Sequence, residues 1–305
     1  MWDGRPTRKS AMDISVIIVT YNSADQIAGC LESVLAQADV AFEVIVVDNA
    51  SSDDTRKILE TFDRIRVVTS SENLGFGRGC NLGFTHSSGR QLYLLNPDTR
   101  LAGKTALADL CRRMDDHPHW GMAGTRVRSA DGKSESQPAH SYPAQRHVHR
   151  DFSKLPGKIA WIIGASMIIR REQYEKLGGF DPGFFLYSEE TDFCLRLREL
   201  GFEIGHVPEV LVEHIGGASE GTRDPRDVSA RKLEGLLRFR QKHYPPDDCV
   251  FLAKRDMRRA WFRMIGNGLL ASVQPKNSKA WQKSRAYRGI WEVSRKFIIQ
   301  KRINP

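Results

Sequence analysis

The chain lacks paired cysteines, long apolar runs and internal repeats. Its five cysteines are far apart and form no Cys-x-x-Cys pair, so the sequence indicates neither a zinc knuckle nor a disulfide framework, and a reducing compartment fits. The first 13 residues contain no apolar segment, and we therefore expect no signal peptide. The longest uncharged run in the C-terminal part, residues 264–275, is too short to cross a bilayer.

Net positive charge is absent from most of the chain and concentrated at its C-terminal end. Residues 226–305 contain 20 Lys/Arg and 6 Asp/Glu, a balance of +14. Residues 1–225 contain the other 26 Lys/Arg and 31 Asp/Glu, a balance of −5. This asymmetry indicates an anionic partner for the tail, which could be a membrane surface, a nucleic acid or an acidic protein.

Short β-branched runs alternate with helical patterns over residues 14–117. The runs predict buried strands at Ile14–Thr20, Phe42–Asp48, 65–69 and Gln91–Leu95. The segments between and after them predict helices at 24–37, 53–62, 77–87 and 103–117. This alternation predicts an α/β fold with a mostly parallel sheet covered on both faces. Ligands bind beyond the carboxyl ends of such strands, which is where Thr20-Tyr21-Asn22, Asp48-Asn49 and Asn96-Pro97-Asp98 fall.

The regular alternation stops after residue 117. Residues 125–158 are polar, with scattered proline and glycine, and predict a long loop. Residues 158–170 return to an apolar run that resembles a strand. A further helix is expected from about residue 189, where apolar and arginine positions alternate.

Three motifs at the predicted strand ends allow a structural or a functional interpretation. Asp48 precedes a turn and a helix start, and an ionised aspartate there could also accept hydrogen bonds from a nucleobase edge. The glycine-rich segment 72–81 opens a helix that could attract phosphate, although it does not follow the first strand as a dinucleotide fingerprint would. Asp98 ends a strand and could hold Mg²⁺ together with substrate phosphates.

An acidic cluster opens the helix that begins near residue 189. Glu189, Glu190 and Asp192 lie within four positions. The helix dipole favours carboxylates at a helix N-terminus, which is the structural explanation. Three of them after an aromatic, glycine-containing turn exceed what capping needs, and the alternative is a carboxylate placed for proton transfer.

These segments occur in one order and carry a family resemblance. The order is ISVIIVTYNS, VIVVDNASSDDT, NLGFGRGCNLG, LLNPDT, WIIGASMIIRRE, GGFDPGFFLYSEETDFCLRLRELG and VPEVLVEHIGGAS. It resembles family 2 inverting glycosyltransferases with a GT-A fold, and especially the bacterial rhamnosyltransferase-like branch of cell-surface polysaccharide synthesis. The resemblance covers about residues 13–219. It implies a Rossmann-like nucleotide-binding domain at 13–222, preceded by a tail at 1–12 and followed by a basic helical extension at 223–305.

The resemblance also implies roles for individual residues. It assigns the donor nucleotide to Thr20, Tyr21, Asn22, Asp48, Asn81 and Asn96. It assigns a divalent metal, Mg²⁺ or Mn²⁺, to Asp98 and His214, and the acceptor pocket to Trp161 and Gly164. Glu190 matches the catalytic base, where many relatives carry aspartate, with Asp192 and Glu189 as alternatives.

The basic tail contains an apolar stripe at helical spacing. The stripe consists of Met257, Trp261, Ile265, Leu269 and Val273. Tyr287, Ile290, Trp291, Phe297 and Ile298 form another. A basic helix with tryptophan on one face suits a membrane interface, and the alternative is a helical appendage packed on the catalytic domain. Gly266 and Gly268 are expected to weaken a continuous helix.

The resemblance predicts transfer of a sugar, expected to be rhamnose from dTDP-rhamnose, to a hydroxyl of a polyprenyl-linked saccharide. The expected partners are a dTDP- or UDP-linked sugar, the lipid-linked acceptor and a membrane surface, but no nucleic acid, with a homo-oligomer left open. We expect a cytoplasmic protein held at the inner face of the bacterial plasma membrane. A nucleotidyltransferase and a nucleic-acid-binding protein that uses the basic tail remain the alternatives.

Overall fold

The structure is a computed structural model that describes residues 12–215, 224–275 and 278–303, without the side chain of Arg302. The expected boundary at 222/223 and residues 1–11 of the expected tail lie outside the described residues. The strands are β1 Ile14–Thr20, β2 Phe42–Asp48, β3 Arg66–Thr69, β4 Gln91–Leu95, β5 Thr99–Leu101, β6 Trp120–Ser129, β7 Glu135–Ser136, β8 Ser166–Arg170 and β9 Glu203–His214. The helices are α1 Ile27–Leu35, α2 Thr55–Leu59, α3 Phe76–Thr85, α4 Ala106–Asp116, α5 Arg171–Leu177, α6 Glu189–Glu199, α7 Pro225–His243, α8 Pro246–Ser272 and α9 Lys279–Ile303.

The strands form a single sheet in the order β3-β2-β1-β4-β8-β6-β9-β5, with β7 paired to β6. The first four strands pair in parallel, as the apolar runs predict. The other half is mixed, because β8 runs antiparallel to β4 and β6 while β6 and β9 are parallel. Thr20 pairs with Asp48, and Asp48 pairs with Thr69, so the carboxyl ends of three strands lie side by side.

Apolar cores cover both faces of the sheet and confirm the α/β prediction. On one face α1 and α4 pack against alternate residues of β1 and β2, including Ile14, Val16 and Val46. On the other face α3, α5 and α6 pack against the opposite alternation, including Ile17 and Val47. Because successive strand side chains point to opposite faces, a strand buried on both faces needs an unbroken apolar run.

Residues 125–158 differ from the predicted loop. Strand β6 continues to Ser129, and the aromatic rings of Tyr142 and Phe152 are buried in a third core cluster. Between 158 and 170 only Ser166–Arg170 is a strand, because the backbone of Trp161 pairs instead with Ala139 in an isolated bridge. Two buried aromatic side chains therefore anchor a segment whose polar composition predicts exposure.

The helical extension packs on the α/β domain through this third cluster. Leu233 and Phe239 of α7, Leu252 of α8 and Phe297 of α9 meet Leu195 of α6 there. Helix α7, the first half of α8 and much of the second apolar stripe therefore pack on the α/β domain, as the alternative to a membrane interface predicts. Among the described residues, no helix is long and apolar enough to cross a membrane.

Helix α8 runs without interruption through Gly266 and Gly268, contrary to the expectation from helix propensity. Helix α9 lies along α8, and a Cβ added at Gly268 would stand 3.5 Å from the Ser284 hydroxyl. Contact between neighbouring helices routinely outweighs the propensity cost of about 1 kcal/mol for each glycine.

A buried carboxylate joins α6 to α7. Asp192 is fully buried, and its Oδ1 accepts hydrogen bonds from His243 Nε2 at 2.7 Å and from Lys242 Nζ at 2.8 Å. Its Oδ2 accepts from Arg196 Nε at 2.8 Å. Although burial opposes ionisation, the hydrogen bond from His243 and the charges of Arg196 and Lys242 hold the pKa of Asp192 below its ordinary value.

We predict that Asp192→Asn destabilises the fold strongly. Removing one partner of a buried charge network leaves the others uncompensated, at a cost of about 3–5 kcal/mol. The pKa of Asp192 is lower in the folded protein than in the unfolded chain. The stability that the variant loses is therefore fully present above the ordinary aspartate pKa and disappears as pH falls through the folded-state pKa. Denaturant unfolding across this pH range measures it. The control Glu175→Gln, which loses an exposed pair 3.7 Å from Arg171, should change little.

Candidate active site

A pocket of about 120 Å³ lies beyond the carboxyl ends of β1, β2 and β4. We call it the strand-end pocket. Tyr21, Asn49, Asn96 and Asp98 line it from the sheet side, and Arg231 of α7 lines it from the opposite side. It therefore lies where an α/β sheet binds its ligands.

A close backbone contact forms one wall of this pocket. Gly75 has φ +80°, and a Cβ added to it would come within 1.9 Å of the Phe185 carbonyl oxygen. The Phe76 N–H donates to that same oxygen at 3.1 Å. Only glycine permits both the positive φ and this approach, so Gly75 fixes the turn before α6 against the start of α3.

The side chain of Asn49 hydrogen-bonds the segment 73–75, which forms one wall of the strand-end pocket. Its Nδ2 donates to Asn73 Oδ1 at 3.0 Å and to the Gly75 carbonyl at 3.1 Å, and its Oδ1 accepts from the Leu74 N–H at 2.9 Å. Sequence reasoning placed Asn49 with Asp48 at the expected ligand edge but gave it no individual role. Its place directly after β2, beside Asp48, was the available signal.

The nucleotide residues predicted at the ends of the first two strands lie together at the carboxyl edge of the sheet, where only Tyr21 among them lines the strand-end pocket. Asp48 is buried and accepts from the Ser51 N–H at 3.1 Å and from Arg56 Nε. Asn22 has φ +51° and accepts from the Ser52 N–H at 2.8 Å. Both side chains therefore shape the turns that follow β1 and β2.

Thr20 and Tyr21 lie at the same edge and differ in exposure. Thr20 is buried, and its Oγ1 has no partner among the described residues. The Tyr21 ring is 37% exposed and lines the pocket. Its face is therefore available to a planar ligand.

Asn81 lies on α3 away from the lining of the pocket. Its Oδ1 accepts from Tyr174 Oη at 2.6 Å and from the Phe180 N–H at 2.9 Å, and its Nδ2 donates to the Phe180 carbonyl at 2.8 Å. These bonds use the amide to brace the segment before α6. The structure therefore gives Asn81 a structural role and does not bring it to the nucleotide residues.

A second pocket, of about 490 Å³, adjoins the first and is lined by Glu189 and Glu190 of the acidic cluster. We call it the acid pocket. Asn96 and Asp98 line both pockets, and the acid pocket adds Glu190, Trp161 and Gly164. The candidate base, the candidate metal ligand and the predicted acceptor residues therefore surround one connected space.

The three acids of α6 face different surroundings. Glu190 is half-buried in the acid pocket, and burial raises its pKa. Glu189 is 4% exposed with a buried, unpartnered Oε2, and burial and the charge of Glu190 raise its pKa to about 8. Asp192 points to α7, with a cation on each oxygen, Arg196 on Oδ2 and Lys242 on Oδ1. Glu189 and Glu190 both line the acid pocket, and Glu190 is the more exposed of the two.

Backbone strain is concentrated directly before these acids. Tyr187 and Ser188 both have positive φ, 72° and 69°, although neither is glycine. Such conformations cost about 1–3 kcal/mol each and persist where surrounding contacts impose them. Gly235 of α7 supplies one contact, because a Cβ there would lie 2.3 Å from the Tyr187 carbonyl oxygen.

Asp98 and His214 meet at the boundary of the two pockets. Thr99 of β5 pairs with His214 of β9, which brings His214 Nε2 to 3.3 Å from Asp98 Oδ1. The hydrogen bond to Asp98 raises the pKa of His214. No group of three or more His, Cys, Asp or Glu side chains suited to a metal occurs in the described part of the chain. A carboxylate oxygen and an imidazole nitrogen nevertheless fit a cation that takes its other ligands from phosphate and water.

Arg231 is a further pocket residue that sequence reasoning missed. Its guanidinium lies 5.7 Å from the centroid of the Phe185 ring, and no carboxylate within the described ranges forms a salt bridge with it. In the sequence it is one of many basic residues of the tail. Only the packing of α7 over the strand ends distinguishes it.

The chain is similar to known glycosyltransferases in sequence and in fold. The profile of the family described as Glycosyl transferase family 2 matches residues 15–190. An N-acetylglucosaminyl-diphospho-decaprenol L-rhamnosyltransferase of Mycobacterium tuberculosis is 26% identical over 248 residues, which cover 70% of this chain and 78% of that protein. Rhamnosyltransferase WbbL of Escherichia coli is 24% identical over 64% of this chain and 80% of its own length. The mannosyltransferase PcManGT from Pyrobaculum calidifontis, solved with GDP-Man and Mn²⁺, matches 99% of this chain and 91% of its own at a TM-score of 0.60 and 19% identity.

We predict that Glu189→Gln stabilises the protein increasingly as pH rises. Between the ordinary glutamate pKa and about 8, folded Glu189 retains a proton that the unfolded chain has lost, so wild-type stability falls with pH. Glutamine does not titrate, so the free energy of unfolding of the variant should exceed that of wild type by up to about 1.4 kcal/mol more for each pH unit in this range. Urea unfolding at several pH values measures the difference, with exposed Glu60→Gln as control. A difference that does not change with pH would contradict the buried protonated state.

Proposed function

This chain belongs to the family 2 glycosyltransferases, and we propose that it transfers rhamnose from dTDP-rhamnose to a hydroxyl of a polyprenyl-linked saccharide. The observation that carries the proposal is the connected space in which Glu190 and the Asp98–His214 pair face each other beyond the strand ends. The two rhamnosyltransferase relatives support the sugar, and the decaprenol-linked acceptor in the name of one supports the lipid-linked acceptor. Family membership decides against the nucleotidyltransferase and the nucleic-acid-binding alternatives.

The donor is proposed to occupy the strand-end pocket. Tyr21 offers an exposed ring for the base, and Asn22 is exposed next to it. Thr20 and Asp48 are fully buried behind these residues and are proposed to support the turns that carry them. Arg231 supplies positive charge to the side of the pocket where the diphosphate would lie, next to Asn96 and Asp98. A planar guanidinium suits phosphate oxygens because it donates two parallel hydrogen bonds.

Glu190 is proposed as the general base. It accepts the proton of the acceptor hydroxyl as that oxygen attacks the anomeric carbon, while the bond from that carbon to the diphosphate oxygen breaks on the opposite side. Configuration inverts and no covalent enzyme intermediate forms. A carboxylate of raised pKa holds a proton more strongly than an ordinary one, which brings it closer to the optimum for base catalysis near neutral pH. Trp161 and Gly164 lie beside Glu190 and leave room for the acceptor sugar.

Asp98 and His214 are proposed to hold a divalent metal, Mg²⁺ or Mn²⁺. The Mn²⁺ in the structure of the mannosyltransferase supports this choice. When bound, such an ion neutralises charge on the departing diphosphate. His214 binds metal only as neutral imidazole, so the metal would replace the proton that Asp98 now stabilises.

We predict that Glu190→Gln lowers turnover by about 100- to 10,000-fold, which is the usual contribution of a positioned base. Glutamine keeps the shape of the side chain but cannot accept the proton. Nucleotide-sugar binding should persist, because Glu190 lines the acid pocket and not the strand-end pocket. Rate assays and thermal stabilisation by a panel of nucleotide sugars measure the two effects separately. Near wild-type turnover in this variant would refute the base, and stabilisation by no nucleotide sugar would refute the proposed function.

The second half of α8 is proposed to rest on the inner surface of the plasma membrane. Phe262, Ile265, Leu269 and Val273 are exposed along one side of it, with Leu269 and Val273 at 69% and 82%. Trp261, 43% exposed, lies at the edge of this strip. Trp281 and Trp291 are only half-buried and stack with Arg285 and Arg295. Arginine beside exposed apolar residues is typical of a helix that lies in an anionic interface.

We predict that the double variant Leu269→Ser with Val273→Ser binds anionic vesicles at least about tenfold more weakly than wild type, since burying one such side chain is worth roughly 1.5–3 kcal/mol. Binding of wild type should fall as salt rises. Vesicle sedimentation measures both effects. Val67→Ser, which removes an exposed apolar side chain from β3, is the matched control. Equal sedimentation of the double variant and wild type would exclude this surface.

A further inference from the structure

A separate cavity of about 370 Å³ lies within the helical extension, between α7, α8 and α9. Leu233, Leu236 and Ile290 give it apolar walls. Arg240, Arg259 and Arg263 reach it from α7 and α8. Neither the donor nor the general base of the proposed reaction needs this cavity.

The positive charge around this cavity is poorly compensated. Asp256 is the one carboxylate of its lining, and it accepts a hydrogen bond from Arg240 Nη1 at 2.6 Å. Arg263 donates to a neutral group, the Tyr287 hydroxyl, at 2.8 Å. Within residues 12–215, 224–275 and 278–303, Arg259 and Arg263 form no salt bridge with any carboxylate.

Buried guanidinium nitrogens behind the cavity lack partners. Arg240 is 4% exposed, and its Nε is buried without a hydrogen-bond acceptor. Nε and Nη1 of Arg255 are likewise buried and unpartnered among the described residues. An unsatisfied buried donor costs about 1–3 kcal/mol, and more where it is charged. Arg240 lines the cavity, and Arg255 lies close to Arg259 and Arg240 without lining it. The unpartnered nitrogen of Arg240 indicates a site that is completed by an acceptor from outside the chain.

Electrostatics at the cluster point to an anion. Burial and the nearby charge of Arg259, with that of Arg146 and Arg240, lower the pKa of Arg255. Burial and the charges of Arg255, Arg146 and Arg259 lower the pKa of His147. The positive groups therefore repel one another, and a bound anion with several oxygens would relieve that repulsion.

The position of the cavity connects it with the acid pocket. Lys232 lines both spaces, so they adjoin each other across α7. On the opposite side, Arg263 of the cavity is followed along α8 by Ile265 and Leu269 of the exposed apolar strip. A molecule with a sugar, a phosphate group and an apolar chain in that order would meet the acid pocket, the arginines and the apolar strip in the same order.

We propose that this cavity binds the phosphate or diphosphate group of the lipid-linked acceptor, with the first part of its apolar chain against Leu233, Leu236 and Ile290. The inference rests on the proposed function for the identity of the acceptor. Arg259 and Arg263 contact the phosphate oxygens, and Arg240 and Arg255 reinforce the charge behind them. The extension is therefore part of the substrate site as well as a contact with the membrane.

Binding of farnesyl diphosphate to the full chain, measured by calorimetry without any donor sugar, tests the proposal. Arg259→Gln and Arg263→Gln should each weaken this binding about tenfold or more, because each removes a charge-assisted hydrogen bond. Lys254→Gln removes one exposed charge from the opposite side of α8 and should leave it unchanged. Neither arginine is buried, so both variants should fold.

Comparison of farnesyl diphosphate with related ligands shows whether the cavity recognises a lipid-linked phosphate, a free phosphate or a nucleotide. Farnesol and inorganic diphosphate should each bind much more weakly than farnesyl diphosphate, and excess nucleoside diphosphate should not displace it. Wild-type affinity in both arginine variants, equal binding of inorganic diphosphate, or displacement by nucleoside diphosphate would each overturn the proposal.

Sedimentation with phosphatidylglycerol vesicles tests whether the cavity binds a lipid headgroup instead. If the arginine variants lose vesicle binding but keep farnesyl diphosphate, the cavity serves a lipid headgroup and the proposal is wrong. Retained stabilisation by nucleotide sugars in such a case would leave the proposed function standing.

Discussion

The carboxylate of Asp192 determines how the two parts of this protein fit together. It is fully buried at the start of α6, and cations from α6 and from the end of α7, Arg196 and Lys242, occupy its two oxygens. Helix α7 is thereby held across the strand ends, which brings Arg231 to the strand-end pocket and Lys232 to the acid pocket. Without that carboxylate, desolvated cations would face one another between two helices. The composition of both pockets thus depends on an ion pair that belongs to neither.

The α/β half could be predicted from the sequence because its signals are local. An apolar run such as Ile14–Thr20 can be buried on both faces only in a covered sheet, and polar residues at its end mark the ligand edge. The mixed half could not be predicted this way, because the regular alternation of strands and helices stops after residue 117 and β8 runs antiparallel to both of its neighbours. Tyr142 and Phe152 illustrate the same limit, since their burial depends on helices that lie about a hundred residues further along the chain.

The candidate site divides in a similar way. Glu190, Asp98 and His214 could be assigned from motif resemblance, and the structure brings all three to one connected space. Asn81 was assigned in the same manner, but its amide braces the Phe180 backbone, a contact that spacing does not reveal. Arg231 carried no sequence signal, because a basic residue in a basic tail is distinguished only by where its helix packs.

Helical geometry explains why three neighbouring acids of α6 can have three different roles. Successive residues project about 100° apart, so Glu189 points to the interior against α3, Glu190 to the pocket and Asp192 to α7. Burial without a partner raises the pKa of Glu189, whereas burial among cations lowers that of Asp192. Burial also raises the pKa of Glu190, which lies beside Glu189, a carboxyl group whose own raised pKa of about 8 keeps it neutral near pH 7. Because Glu189 is neutral, ionised Glu190 is not repelled by a second negative charge. The ion pairs of Asp192, which hold the helices together, are separate from this pocket.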